Sequence, residues 1–206
     1  MFLLRLALPD RPGSLGAVAS AMGTVGADIN AVEIVEKYEG YAVDDFMVEL
    51  PNGVLPDSLV SVCTAIEGVE LLWLSHYPEN WGLQGDVDVL NHMTEYPERA
   101  EEILTLESPE VFRVTWAAMV DRHARRVVAK TDLAPDLDEA GIAALGPLDA
   151  VRDDELPDGW LPDWTETLIA VVPFRSTASI VVARRGGPEF LPSEIARLRH
   201  LAALAF

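Results

Sequence analysis

Between Phe2 and Met22 the hydrophobic period changes from two to that of a helix within a few residues. Phe2, Leu4, Leu6 and Leu8 fall on one face at period two, which reads as a strand. Leu15, Val18, Ala19 and Met22 then recur at helical spacing. The junction Leu8-Pro9-Asp10-Arg11-Pro12-Gly13-Ser14-Leu15-Gly16 therefore turns a strand into a helix. Pro12 suits the first helical position, where a missing N–H loses no partner. The first N–H groups of such a helix have no intrahelical acceptor and carry the positive end of its dipole, and Gly13 lets a ligand approach the backbone closely. A carboxylate fits that chemistry.

The following sixty residues complete a pattern. Gly26 ends the helix, Asp28 to Glu36 is rich in β-branched residues, and Lys37 to Gly40 form a polar turn. Tyr41 to Leu50 resumes as a strand with Ala42, Phe46, Val48 and Leu50 on one side, interrupted by Asp44 and Asp45. Asp57 or Ser58 is expected to cap a second helix whose stripe is Leu59, Val62, Cys63 and Ile66, ended by Gly68, and Val69 to Leu74 forms a last strand. The order β-α-β-β-α-β is the ferredoxin-like arrangement, with both helices on one face of a four-stranded antiparallel sheet.

The run Asp10-Arg11-Pro12-Gly13-Ser14-Leu15-Gly16, the helix after it, Gly26-Ala27-Asp28-Ile29-Asn30 and the next strand resemble an ACT domain, the regulatory module that binds amino acids in many metabolic enzymes. The resemblance spans residues 1–77. It implies a homodimer with a small-molecule ligand, an amino acid or related metabolite, held between two protomers. Asp10, Pro12, Gly13, Ser14, Leu15 and Gly16 of one protomer would face Asp28, Ile29 and Asn30 of the other. Helix N–H groups would meet the carboxylate, and Asp10, Asp28 or the Asn30 amide oxygen the ammonium. The same residues also have plain structural readings: Asp10 as a helix cap, Pro12-Gly13 as a turn, and Asp28-Ile29-Asn30 as a strand entry.

With 206 residues the chain suits two small domains, since the first set of motifs closes by about Tyr77. Residues 78–109, opening on the turn Pro78-Glu79-Asn80-Trp81-Gly82, read as a connecting segment with one or two short helices. Residues 110–206 form the second domain. Val111 to Asp121 pairs with Arg126 to Thr131, and Leu168 to Arg175 with Thr177 to Arg184. A closing helix runs from Pro192 to Leu204, capped by Ser193, with Ile195, Leu198, Leu201, Ala202 and Leu204 as its stripe. Ile180 to Arg184, Phe190 to Ile195 and this helix are similar to the end of a GAF domain, which implies an α+β fold with a pocket between the sheet and variable loops. Asp132 to Thr165 has no counterpart in that resemblance. Within it, Leu156-Pro157-Asp158-Gly159-Trp160-Leu161-Pro162-Asp163-Trp164 is read as a loop pinned by its tryptophans, with a lid over an apolar ligand as the alternative.

The formal charge of −19 works against nucleic acid and anionic membrane as partners, because phosphate binding needs clustered cations. The tight basic pairs Arg125-Arg126 and Arg184-Arg185 are expected to be solvated strand ends. No apolar run reaches the roughly 18 residues that span a membrane, and Met1 to Arg5 is too short and alternating for a secretory signal, so a cytoplasmic location is expected. The single cysteine, Cys63, excludes an intrachain disulfide and reads as a core residue.

Catalytic signals are weak. The four histidines, His76, His92, His123 and His200, form no metal-ligand pair, and no nucleophile elbow, phosphate loop or dinucleotide fingerprint occurs, so no metal or cofactor is expected. Asp44 and Asp45 are adjacent, but neighbouring strand residues point to opposite faces. The sequence reads as a non-enzymatic regulatory sensor acting on a target protein or a small-molecule pool. Its alternatives are an interaction module without ligand, using the outer face around Val43, Asp45 and Met47, and an enzyme with a site in the C-terminal half.

Overall fold

The computed structural model describes residues 1–76, 84–161 and 166–205, which fall into two compact units, Met1–Gly82 and Leu83–Phe206. The turn expected at Pro78 to Gly82, and Trp164 with its neighbours, lie outside the described residues.

The first unit is the ferredoxin-like α+β fold that the sequence order implies. Its elements are β1 (Phe2–Pro9), α1 (Ser14–Thr24), β2 (Asp28–Lys37), β3 (Tyr41–Glu49), α2 (Pro56–Thr64) and β4 (Glu70–His76). The sheet order is β2-β3-β1-β4 with every pair antiparallel. Leu4, Leu6 and Leu8 of β1, Phe46 and Val48 of β3, Val18 and Met22 of α1, and Leu59 and Cys63 of α2 make one core. Burying such side chains, at about 1.5–3 kcal/mol each, is what holds two short helices to the sheet.

Three local expectations are corrected. Helix α1 starts at Ser14, because Gly13 at φ 96° breaks the helical path, so Pro12 belongs to the preceding turn. Leu15 is exposed and contributes nothing to the stripe. Neither Asp57 nor Ser58 caps α2: Pro56 occupies the first turn, Leu55 is the extended residue before it, and Asp57 lies inside the helix.

The second unit is also α+β. Helices α3 (Gln84–Glu95) and α4 (Ala100–Phe112), joined by a 3-10 turn at Pro97–Arg99, precede β5 (Trp116–Asp121) and β6 (Arg126–Lys130). Then follow α5 (Glu139–Ala144), β7 (Arg152–Leu156), β8 (Thr167–Pro173), β9 (Ala178–Arg185) and α6 (Pro192–Leu204). The five strands are antiparallel in the order β6-β5-β9-β8-β7. Both faces are covered. Val89 and Met93 of α3, Ile103 and Leu104 of α4, and Leu198 and Leu201 of α6 join Ala117, Ala170, Ile180 and Val182 on one. Ile142, Leu145, Leu156 and Trp160 close over Trp116, Ile169, Val171 and Val181 on the other.

Here too the sequence reading shifts. The stretch 78–109 supplies α3 and the start of α4, and their apolar residues belong to this unit's core. Val111 and Phe112, expected to open a strand, end α4. Asp132 to Thr165 contains α5, capped by Asp138 Oδ1 accepting from the Gly141 N–H at 2.8 Å, and β7. Helix α6 has the expected span, but Pro192 and Glu194 define its start, the Glu194 carboxylate accepting from the Leu191 N–H at 2.9 Å; Ser193 is not its N-cap. Leu204 is exposed.

Candidate ligand-binding site

The β1–α1 turn has the geometry that its glycine and prolines suggest. The Arg11 N–H donates to Pro9 O at 2.8 Å and the Ser14 N–H to Arg11 O at 3.2 Å, so the chain reverses tightly before Gly13 takes its left-handed conformation. No side chain caps α1. The helix ladder begins with the Ala17 N–H donating to Gly13 O at 2.9 Å, and among the described residues nothing accepts from the Leu15 and Gly16 N–H groups, which stay open to a ligand or water. Gly13 has no neighbour within 4 Å of where a Cβ would stand, so its backbone is approachable. A cleft of about 240 Å³ opens beside it, between Gly13, Ser14 and Ala17 on one side and Ile66, Glu67 and Val69 on the other.

Asp10 is not a helix cap. Its Oδ1 accepts from Lys37 Nζ at 2.8 Å, an exposed ion pair that joins the turn to the C-terminal end of β2. The Asp10 N–H donates to Gly40 O in the β2–β3 turn, where Tyr38 and Tyr41 stack with ring centroids 4.7 Å apart. Asp10, Pro12, Gly13, Ser14, Leu15 and Gly16 thus lie together at one end of the unit.

Asp28, Ile29 and Asn30 lie at the other end. Asp28 is opposite Glu49 and Lys37 opposite Ala42, so seven residues of β2, about 23 Å at roughly 3.3 Å each, separate Asn30 from the lysine that holds Asp10. One chain does not bring the two residue sets together. β2 is an edge strand with register irregularities at Asn30 and Val35, and Val32 and Ile34 are exposed on it.

The acidic pair of β3 divides as its adjacency requires. Asp45, buried, receives Arg5 Nε at 2.8 Å and Nη2 at 2.9 Å, a bidentate pair on the face turned away from the helices. Val43 and Met47, on that same face, are buried as well. Asp44 faces the helix side, between Leu6 of β1 and Ile34 of β2. It is 1% exposed, and among the described residues its Oδ1 has no hydrogen-bond partner. Burial pushes its carboxyl above the usual range, Lys37 pulls it back and Asp10 adds to the rise. Sequence alternation places Asp44 on the core side; that its Oδ1 finds no partner there among the described residues is visible only in the fold.

The remaining candidate groups are structural. Burial raises the Cys63 thiol to about 11, which leaves it protonated and unreactive. Among the described residues no group of three or more histidine, cysteine or acidic side chains could hold a metal. Trp160 is pinned: its ring stacks on Trp116 at 6.3 Å, and its Nε1 donates to Thr167 Oγ1 at 3.2 Å. A hollow of about 300 Å³ beside the β5–β6 turn includes Asp121, Arg122, Ile142 and Asp149 in its lining. The Arg122 guanidinium there is already committed to Ser179 Oγ at 2.9 Å and Ser176 O at 2.6 Å.

No protein-family model and no curated protein matches the chain. Solved structures similar to it include a GAF domain from Pseudomonas syringae pv. tomato, 14% identical over 60% of this chain and 81% of that one, with a TM-score of 0.41. A formyltetrahydrofolate deformylase from Pseudomonas putida KT2440 is 10% identical over 46% of this chain and 37% of its own, with a TM-score of 0.31. An unknown protein from Galdieria sulphuraria is 13% identical over 97% and 89% of the two chains, with a TM-score of 0.33. Among the described residues no helix is long and apolar enough to cross a membrane.

Proposed function

We propose that this protein is a non-enzymatic regulatory sensor whose first unit binds a small amino acid or related metabolite between two copies of the chain. The observation that carries this reading is the uncapped N-terminus of α1 behind Gly13, with free N–H groups at an open backbone and the Asp10–Lys37 pair beside it. Helix N–H groups and the dipole favour a carboxylate there.

The separation of the two residue sets supports the dimer. Antiparallel pairing of β2 with β2 of a second copy would carry Asn30 of one protomer toward the Lys37 end of the other, closing the 23 Å gap that one chain leaves open. Exposed Val32 and Ile34 would be covered in the same step. The second unit, with Trp116, Trp160 and Leu145 in one of its cores, would transmit the state of the first to a target protein.

A thermal-shift screen of the full chain against the free amino acids tests the reading, because a ligand of the native state raises stability by RT ln(1 + [L]/Kd). Saturable stabilisation by one or a few of them, with a dimer in sedimentation, is the expected outcome. A flat response across the panel would turn the reading toward an interaction module.

A further inference from the structure

Two turns of the first unit meet at Pro9. In the α2–β4 connection the Val69 N–H donates to Ile66 O at 3.1 Å, which puts Glu67 and Gly68 at the two corners of a tight turn. Gly68 has φ 79°, and a Cβ added to it would stand 2.9 Å from Pro9 Cγ, so this turn is seated directly on the end of β1. Pro9 O in its turn accepts from the Arg11 N–H at 2.8 Å in the β1–α1 turn. The cleft of about 240 Å³ lies between the two turns, with Arg11 on one wall, Glu67 on the other, and Ala17, Ile66 and Val69 in its apolar lining. Among the described residues Arg11 and Glu67 are the only charged groups lining it, and neither side chain is engaged in an ion pair or a hydrogen bond. The cleft is smaller than the roughly 300–1,000 Å³ of clefts that take drug-sized molecules, so its occupant is small.

We propose that Glu67 is the specificity-determining residue of this cleft, the acceptor for the ligand's ammonium group, so that the cleft takes α-amino acids and rejects the corresponding carboxylates that lack the amine. This inference rests on the binding reading given above. In it Arg11 meets the ligand carboxylate and Glu67 its ammonium, across one cleft of one chain. Opposite charges held apart on two walls match a zwitterion at both ends, whereas a plain carboxylate meets Arg11 and is repelled by Glu67. Exposed ion pairs add little affinity, so Glu67 acts by discrimination, through repulsion of the amine-free anion as much as through attraction of the amine. The zwitterionic head is then bound by a single protomer, which leaves Asp28, Ile29 and Asn30 of a second copy to close over it.

The test is calorimetry of the full chain with the free L-amino acids and, for each that binds, its des-amino carboxylate, such as L-alanine against propionate. Wild type should bind the amino acid about tenfold more tightly than its des-amino partner. Glu67→Gln, which keeps the size of an exposed side chain and so leaves folding intact, should bring the two within about threefold by weakening the first and tightening the second. Arg11→Gln should weaken both by a similar factor, because both carry the carboxylate, and no loss for either would overturn the bridging of the cleft. Equal binding of the amino acid by wild type and Glu67→Gln, or a uniform loss for both ligands in that variant, would overturn the assignment of Glu67 while leaving the binding reading intact. Absence of binding by wild type to any amino acid would overturn both.

Discussion

Arg184 and Glu194 form a buried ion pair, Nη2 to Oε1 2.7 Å and Nη1 to Oε2 3.1 Å, that fastens the last strand of the second unit to its closing helix. The guanidinium also donates to the carbonyls of Phe112 and Arg113 at the C-terminal end of α4 and to those of Pro188 and Glu189, and it lies 4.2 Å from the centre of the Phe190 ring. One cation thus satisfies a helix end, a loop and a carboxylate, which corrects the expectation that Arg184 is a solvated strand end. Removing it leaves Glu194 buried without its cation. Arg184→Ala should lower the unfolding free energy of the unit by about 3–5 kcal/mol, measured by urea denaturation. Glu194→Gln keeps the oxygen that accepts from the Leu191 N–H and should cost less.

The misread arginine shows where sequence reasoning runs out. The alternation around Ile180 to Arg184 identifies a strand, but the acceptors that bury Arg184 come from α4 and α6, far away in the chain. Helix starts failed for a local reason that the sequence does contain. α2 and α6 both begin at a Leu-Pro step, where proline forces the preceding residue to be extended and itself opens the helix, so Pro56 and Pro192 outrank the nearby Asp57, Ser58 and Ser193. At α1 the same rule misleads, because Gly13 takes φ 96° one residue after Pro12. The first unit was legible because its period changes are sharp and Gly26, Gly40 and Gly68, all at positive φ, punctuate them. Helix α5, at six residues, is too short to display a period. The turn half of the candidate site could be read from Pro12-Gly13, whereas the complete burial of Asp44 depends on packing across strands that the sequence does not display.

Gly13 and Gly16 separate conformational from steric roles in the turn. Neither has a neighbour within 4 Å of an added Cβ, but only Gly13 has a positive φ. Gly13→Ala should therefore lose about 1–2 kcal/mol of stability through backbone strain alone. Gly16→Ala, inside α1 at ordinary helical geometry, should gain about 0.5–1 kcal/mol. Paired thermal unfolding of the two variants measures both signs, and equal losses would show that the turn tolerates no side chain for another reason.

Asp44 makes a prediction that needs no ligand. Its folded-state carboxyl titrates above its unfolded value, so between those two midpoints the native state holds more protons than the unfolded one. Stability must then fall as pH rises from the ordinary aspartate range through the raised midpoint, and the loss persists at neutral pH. Asp44→Asn removes that slope. Comparing urea unfolding of wild type and variant from pH 4 to 8 should show a difference that grows in favour of the variant as pH rises, and a constant difference would assign no protonation change to this residue.

His92 gives the same sign on the surface of the second unit, but there it is the charged form that the fold stabilises. Its Nδ1 lies 2.8 Å from Glu107 Oε1, linking α3 to α4, and the hydrogen bond and charge of Glu107 raise its midpoint above the usual histidine value. A raised histidine midpoint means that the folded state binds the proton more tightly, so the contribution is complete below the unfolded midpoint and is lost as pH rises through the folded one. The pair is solvent-exposed and screened, so the signature belongs in the titration curve. The His92 ring resonances should titrate above pH 6.5 in wild type and move down in Glu107→Gln, and adding salt should shift the wild-type midpoint toward that of the variant. A midpoint indifferent to both would mean that the α3–α4 contact is held by Val89, Met93 and Leu104 alone, with the ion pair a passenger on an apolar interface.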